Sequence, residues 1–312
     1  IYMISFGNFT ICLLISFLLY VNNFYNPLRQ LASVWSSLQL ALAGLDRISE
    51  ILALESNMQV IPSVEKQNVS FVSLPTLEFK NVFFKYSESK DILKDINFKL
   101  EKGKTYALVG PTGGGKTTTA SLMARLYDPT QGTIYLEGKD IRSYESDERA
   151  KKIGFILQEP FLFTGTVYEN ILYGNKEHAG FSHEELTVVL EKAHLTKLLS
   201  RFSEGLDTKI TSSGNAISLG QRQLIAFMRA VLRNPDILIL DEATANIDTV
   251  TEQLLEEILK KLPTYTTRVI IAHRLNTIEN ADQIFFVNEG EITLAGDMEH
   301  AVQMLSHGKR KS

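Results

Sequence analysis

The sequence predicts a mixed α/β domain preceded by one long membrane-crossing helix. Three observations predict it. The first 28 residues contain no Asp, Glu, Lys or Arg. From Leu77 onward, short apolar runs alternate with helix-like stretches, the pattern of an α/β fold. Two of those runs, 237–240 and 269–271, are apolar throughout, as buried parallel strands are. The expected division is a membrane helix with its extension at 1–54, a linker at 55–76 and the α/β domain at 77–312.

Composition narrows the classes. The chain has 312 residues, 44% hydrophobic and 22% charged, which excludes wholesale disorder. A net charge of -4 argues against a bulk basic surface, so no nucleic-acid partner is expected. Cys12 is the one cysteine, which excludes an intrachain disulfide and a multi-cysteine zinc site.

The N-terminal elements come first. Residues 9–21 are apolar on every helical face, and roughly 20 such residues can cross a bilayer. A buried core helix also fits them. A signal peptide does not, because no basic region precedes them and no small-residue cleavage site follows. Starting at Ile1 rather than Met, the chain reads as the C-terminal piece of a longer protein. Leu28, Leu31, Trp35, Leu38, Leu42, Leu45 and Leu52 then recur at a and d spacing, which predicts a long helix packing on other helices. Pro27 is expected to kink it. The stretch 55–74 is polar, with Pro62 and then Pro75, and lacks periodicity, so it reads as a linker.

The α/β region follows in order. Strands are expected at 77–86, 95–100, 105–109, 132–136, 153–157, 237–240 and 269–271. A late hairpin is expected from 285–287 and 291–294. Helices are expected at 116–126, 184–200 and 219–233.

Chemistry enters at Gly110-Pro111-Thr112-Gly113-Gly114-Gly115-Lys116-Thr117, which matches the phosphate-loop pattern G-x-x-x-x-G-K-[ST]. A polyphosphate needs several inward backbone N–H donors, so the loop must bend sharply and lack bulk. The helix that opens at Lys116 and continues through Thr118 aims its positive end at the phosphates. Lys116 adds a point charge for the outer phosphates, and the Thr117 hydroxyl suits Mg²⁺. An apolar strand runs in and a helix runs out, which is the context the pattern requires. Asp241 and Glu242 follow the apolar run 237–240, at the strand end where open α/β sheets bind ligands. Asp241 would hold the Mg²⁺ shell and Glu242 would polarise an attacking water. Taken alone, the Asp-Glu pair also fits a helix N-cap with a first-turn acid.

Ile217-Ser218-Leu219-Gly220-Gln221-Arg222-Gln223 resembles the LSGGQ signature of ATP-binding-cassette (ABC) ATPases. Further markers of that family follow in order across 77–305. Tyr86 is similar to the aromatic residue that stacks on adenine. Gln158 is similar to the Q-loop glutamine, Asp248 to the D-loop aspartate and His273 to the switch histidine. Singly, Tyr86 also fits a strand aromatic, Gln158 a loop polar residue and His273 a surface residue. Residues 20–31 and 41–52 resemble the last transmembrane helix of an ABC exporter and its cytoplasmic extension, and 166–171 resembles the exporter segment after the Q-loop.

The resemblance implies a RecA-like core, an antiparallel β-subdomain and a helical subdomain. It implies an exporter half-transporter that hydrolyses ATP with Mg²⁺. Lys116, Gln158, Glu242 and His273 would act on ATP held by Tyr86 and 110–118, with Thr117, Gln158 and Asp241 at the metal. Ser218, Leu219, Gly220, Gln221 and Asp248 would act in trans on a partner's ATP. It also implies a second half-transporter, membrane lipid, the plasma membrane as location and a cytoplasmic ATPase domain. The exported substrate stays open. A soluble ABC-type ATPase of DNA repair or translation would keep the nucleotide motifs, but has no use for the apolar N-terminus. A regulatory ABC protein with little turnover is the other alternative, and the presence of Glu242 and His273 speaks against it.

Two departures from the family pattern stand out. Leu219 occupies the position of the first signature glycine. Ser212 stands where an upstream acidic residue is usual. Both resemble one subunit of a heterodimeric exporter with unequal ATP sites, and tolerated drift is the alternative.

Overall fold

The computed structural model describes residues 10–56, 58–62, 74–87, 90–211, 217–241, 248–271, 280–296 and 300. It divides into two compact units, Ile1–Asn57 and Met58–Ser312.

Among the described residues, the first unit holds one helix, Ile11–Leu52, of 42 residues. The Thr10 side chain accepts from the Leu13 amide and caps its start. No residue of this helix is buried, so its apolar side chains have no core within the described structure. At 1.5 Å per residue the helix is about 63 Å long. That is about twice the hydrocarbon thickness of a bilayer. It is the single described helix long and apolar enough to cross a membrane. Pro27 lies inside the helix and does not end it.

In the second unit, a six-stranded sheet has the order β12-β11-β3-β10-β9-β6. These strands are Thr105–Val109 (β3), Ile153–Ile156 (β6), Ile237–Asp241 (β9), Thr267–Ile271 (β10), Gln283–Asn288 (β11) and Glu291–Gly296 (β12). All pairs are parallel except β11 with β12. Because side chains alternate across a strand, each central strand supplies two cores. Ile237 and Ile239 of β9 enter one core with Tyr106, Leu108, Val269 and Phe285. Leu238 and Leu240 enter the opposite core with Leu224 and Phe227. Burial on both faces explains why the β9 and β10 runs carry no alternation.

A four-stranded antiparallel sheet, β2-β1-β4-β5, packs into the first of these cores. Its strands are Leu77–Phe84 (β1), Leu93–Leu100 (β2), Gln131–Leu136 (β4) and Lys139–Asp140 (β5). The second core is covered by helices Val167–Leu172, His183–Lys192, Thr196–Leu199 and Leu219–Val231.

Several elements differ from expectation. The helix expected over 184–200 is two helices, because His194 adopts a left-handed backbone with φ 60° and breaks the run. The helix from Lys116 stops at Met123, and Arg125 turns the chain with φ 51°. Helices Ser146–Lys152 and Thr249–Lys261 were not expected, nor was the two-stranded pair Gly165–Thr166 (β7) with Lys209–Ile210 (β8).

Part of the expected linker is tied down. Arg125, whose side chain is 1% exposed, donates to the Gln59 carbonyl at 2.8 Å and the Arg142 carbonyl at 3.2 Å, and pairs with Asp128 at 2.8 Å. The Ile61 amide also donates to the Arg142 carbonyl. This arginine sits just past the phosphate-loop helix, so the segment 58–62 is fastened to that helix's carboxyl end.

Candidate nucleotide site

The phosphate loop leaves β3 and enters helix Lys116–Met123. Its glycines answer to packing as well as to the ligand. Gly110 has φ +146°, and a Cβ there would meet the Val287 carbonyl oxygen at 2.0 Å. A Cβ on Gly114 would meet the same oxygen at 2.6 Å. The loop therefore rests on β11, and bulk is excluded at both positions. Gly113, with φ +79°, has open space where a Cβ would stand, which leaves the crown of the loop clear.

The helix N-terminus is left available. Gly115 is the N-cap, and no side chain caps the helix. The first-turn N–H groups have no partner within the helix, and the macrodipole adds positive potential there. Lys116 is 6% exposed. Its Nζ donates to the Gly110 carbonyl at 2.9 Å and the Pro111 carbonyl at 3.0 Å, so the ammonium curls back over its own loop. An anion in the cradle would draw that charge inward.

Asp241 ends β9 and is 1% exposed. The Thr117 hydroxyl donates to Asp241 Oδ1 at 3.4 Å. The two residues lie 124 positions apart in sequence. Hydroxyl and carboxylate oxygens are hard donors, which suits Mg²⁺. No cluster of three or more His, Cys, Asp or Glu forms among the described residues. A cation here would therefore keep several waters, as Mg²⁺ does.

Tyr86 follows β1, and its hydroxyl lies 3.4 Å from Thr118 Oγ1. Its ring meets Phe84 and Tyr127 edge-on, at 4.8 Å and 5.1 Å between centroids. That contact carries the aromatic residue to the phosphate-loop helix, 32 positions away in sequence. Pro111 and Thr112 lie in the same loop, between β3 and the helix that Gly115 caps.

Gln158 is exposed after β6, and its carbonyl accepts from Gln223 Nε2 at 3.2 Å. Gln223 is buried on helix Leu219–Val231, so the loop holding Gln158 is pinned to that helix.

The residues expected to act in trans also converge. Ser218 caps the same helix through a reciprocal pair, the Gln221 amide to Ser218 Oγ at 3.1 Å and the Ser218 amide to Gln221 Oε1 at 3.0 Å. Leu219 and Gly220 form its first turn. Gln221 Nε2 donates to the Arg201 carbonyl at 2.7 Å, and Arg201 NH2 lies 3.8 Å from Asp248 Oδ1. Asp248 caps helix Thr249–Lys261, and its carboxyl is held below the usual range mainly by the Thr251 hydroxyl. Arg201 thus bridges the signature helix and Asp248. Sequence reasoning missed it, together with Val287, and gave Gln223 no role of its own. Glu242, His273 and Ser212 lie outside the described residues.

Comparison with known proteins gives a consistent answer. Residues 93–245 match the family described as ABC transporter. The chain is 40% identical over 284 residues to the uncharacterized ABC transporter ATP-binding protein YfiC of Bacillus subtilis, covering 91% of this chain and 46% of the relative. It is 36% identical over 298 residues to the probable multidrug resistance ABC transporter ATP-binding/permease protein YheH of the same organism, covering 96% and 43%. Among solved structures, a bacterial Atm1-family ABC exporter with ATP bound aligns with a TM-score of 0.73 at 29% identity, covering 98% of this chain and 53% of that one. The chain spans less than half the length of the two relatives.

Proposed function

The chain carries an ABC transporter domain at residues 93–245, and from that premise we propose that it is the ATP-binding and ATP-hydrolysing part of an ABC exporter half-transporter. The observation that carries this reading is the meeting of Lys116 and the Thr117–Asp241 pair at one end of the parallel sheet. The long apolar helix Ile11–Leu52 favours the exporter over a soluble ATPase.

In this reading 110–118 bind the phosphates and Tyr86 stacks on the adenine. Lys116 moves from its two carbonyl partners onto the outer phosphates. Thr117, Asp241 and Gln158 would hold Mg²⁺, which when bound neutralises phosphate charge. Glu242 accepts the proton of the attacking water, and His273 contacts the γ-phosphate. Phosphoryl transfer to water depends on such positioning and charge more than on covalent chemistry.

A second half-transporter supplies the equivalents of Ser218, Gly220 and Asp248 across a head-to-tail interface. ATP then favours the closed pair because it touches both subunits only when they meet. Hydrolysis releases the pair, and the membrane helices reorient with it. The chain sits in the plasma membrane with its ATPase domain in the cytoplasm. Leu219 adds bulk where the signature approaches the partner's nucleotide, which supports a heterodimer with one weaker site.

Glu242→Gln tests the reading, since the amide keeps the shape and loses the base. ATP should still bind, while hydrolysis should slow by about 100-fold or more. Turnover near the wild-type rate would remove Glu242 as the base.

A further inference from the structure

A cavity among the described residues lies remote from the phosphate loop. It is a half-open cavity of about 330 Å³ at the other end of the sheet, beside Pro235 and Thr266, which precede β9 and β10. Its walls are apolar, with Val189, Val231, Leu238 and Leu262 among them. Two lysines, Lys192 and Lys261, and two histidines, His178 and His194, also line it, and no acidic residue does.

The helix ends around the cavity do not use Lys192. Helices His183–Lys192, Leu219–Val231 and Thr249–Lys261 all end at this cavity, and helix C-termini attract cations. Their closing carbonyls, however, are already engaged. Ala193 N–H donates to Val189 and Glu191, Leu232 N–H to Met228 and Ala230, and Leu262 N–H to Leu259. Asn175 Nδ2 reaches the Leu232 carbonyl and Arg268 the Leu259 carbonyl. Lys192 has no ion-pair or hydrogen-bond partner among the described residues. Lys261 pairs with Glu257 at 2.6 Å, a partner that does not line the cavity.

We propose that this cavity binds an amphipathic carboxylate, an apolar body seated against Val189, Val231, Leu238 and Leu262 with its carboxylate held by Lys192 and Lys261. A pocket with apolar walls and a few convergent polar groups is the usual form of a small-molecule site. The volume accommodates a two-ring aromatic acid. The occupant would lie between helix His183–Lys192 and the carboxyl end of the helix that Ser218 opens. A ligand here would therefore bear on the signature segment from behind.

The test uses the full chain in lipid nanodiscs, with 2-naphthoate as probe and 2-naphthamide as its uncharged counterpart. Empty nanodiscs supply the blank. Saturable binding at one site per chain is expected, with naphthoate bound at least about tenfold more tightly than the amide. Lys192→Glu with Lys261→Glu should weaken naphthoate about tenfold and leave the amide unchanged. Ala193→Trp, which adds bulk at the rim, should weaken both. A melting curve checks that each variant is folded, and ring-proton shifts of His178 and His194 on titration locate the probe. Equal affinity for acid and amide, binding that ignores both substitutions, or no saturation at about 5 mM would overturn the proposal.

Discussion

Replacing Arg125 by methionine keeps the volume of the side chain and removes its charge and its donors. Three groups lose a hydrogen bond together: the Asp128 carboxylate and the carbonyls of Gln59 and Arg142, of which the last keeps the Ile61 amide. Breaking a buried ion pair from one side costs about 3–5 kcal/mol. Asp128 is 27% exposed, so water recovers part of that loss. Arg149, whose pKa is lowered by burial and then by the Arg125 charge, gains slightly from the change. We expect a net loss of about 3 kcal/mol, at the low end of that range. For a domain of this size it corresponds to a fall of about 6–12 °C in Tm. Calorimetry of the unit Met58–Ser312 measures it. Hydrogen exchange adds a local signature: the Ile61 amide, bonded to the Arg142 carbonyl, should exchange faster than amides of β9. A loss below about 1 kcal/mol with unchanged exchange at Ile61 would refute the claim that Arg125 fastens the segment 58–62.

Two further outcomes follow from the same geometry. Gly110→Ala should destabilise the domain and abolish nucleotide binding, since its Cβ would stand 2.0 Å from the Val287 oxygen at φ +146°; a stable, nucleotide-binding variant on a binding titration would contradict it. The fragment 77–312 should be soluble while the whole chain needs detergent, because no hydrophobic side chain of Ile11–Leu52 is buried and most of the large ones are exposed; a monodisperse whole chain without detergent, by size exclusion, would contradict the membrane reading.

What the sequence revealed was local. The phosphate loop was legible because its spacing encodes a single strand–turn–helix. The runs of β9 and β10 were legible because burial on both faces removes alternation. Ser218 was legible as a cap, and Gln221 three residues on completes the Ser-x-x-Gln capping box. The missed features have physical reasons. Helix Ser146–Lys152 buries no residue, so it leaves no apolar period to detect. The break at His194 needs a left-handed backbone without the glycine that usually announces one. Helix Thr249–Lys261 does carry a signal, an Asp248 cap and buried Leu255 and Ile258, and it was there to be read. Arg201 and Val287 act across long sequence separations, through a carbonyl and a side-chain charge whose positions only the fold determines. Arg125 belongs to the same group, since nothing in its neighbours foretells that it reaches back to Gln59.

The central claim is that the loop 110–118 binds MgATP through Lys116. Equilibrium titration of the whole chain with a fluorescent ATP analogue, in the presence of Mg²⁺, tests it most directly beside Lys116→Ala. The account predicts saturable binding to the wild-type chain and a loss of affinity of about 100-fold or more in the variant, as removal of a charge-assisted phosphate contact implies. Equal affinity in the two proteins, or no saturable binding to either, would contradict it.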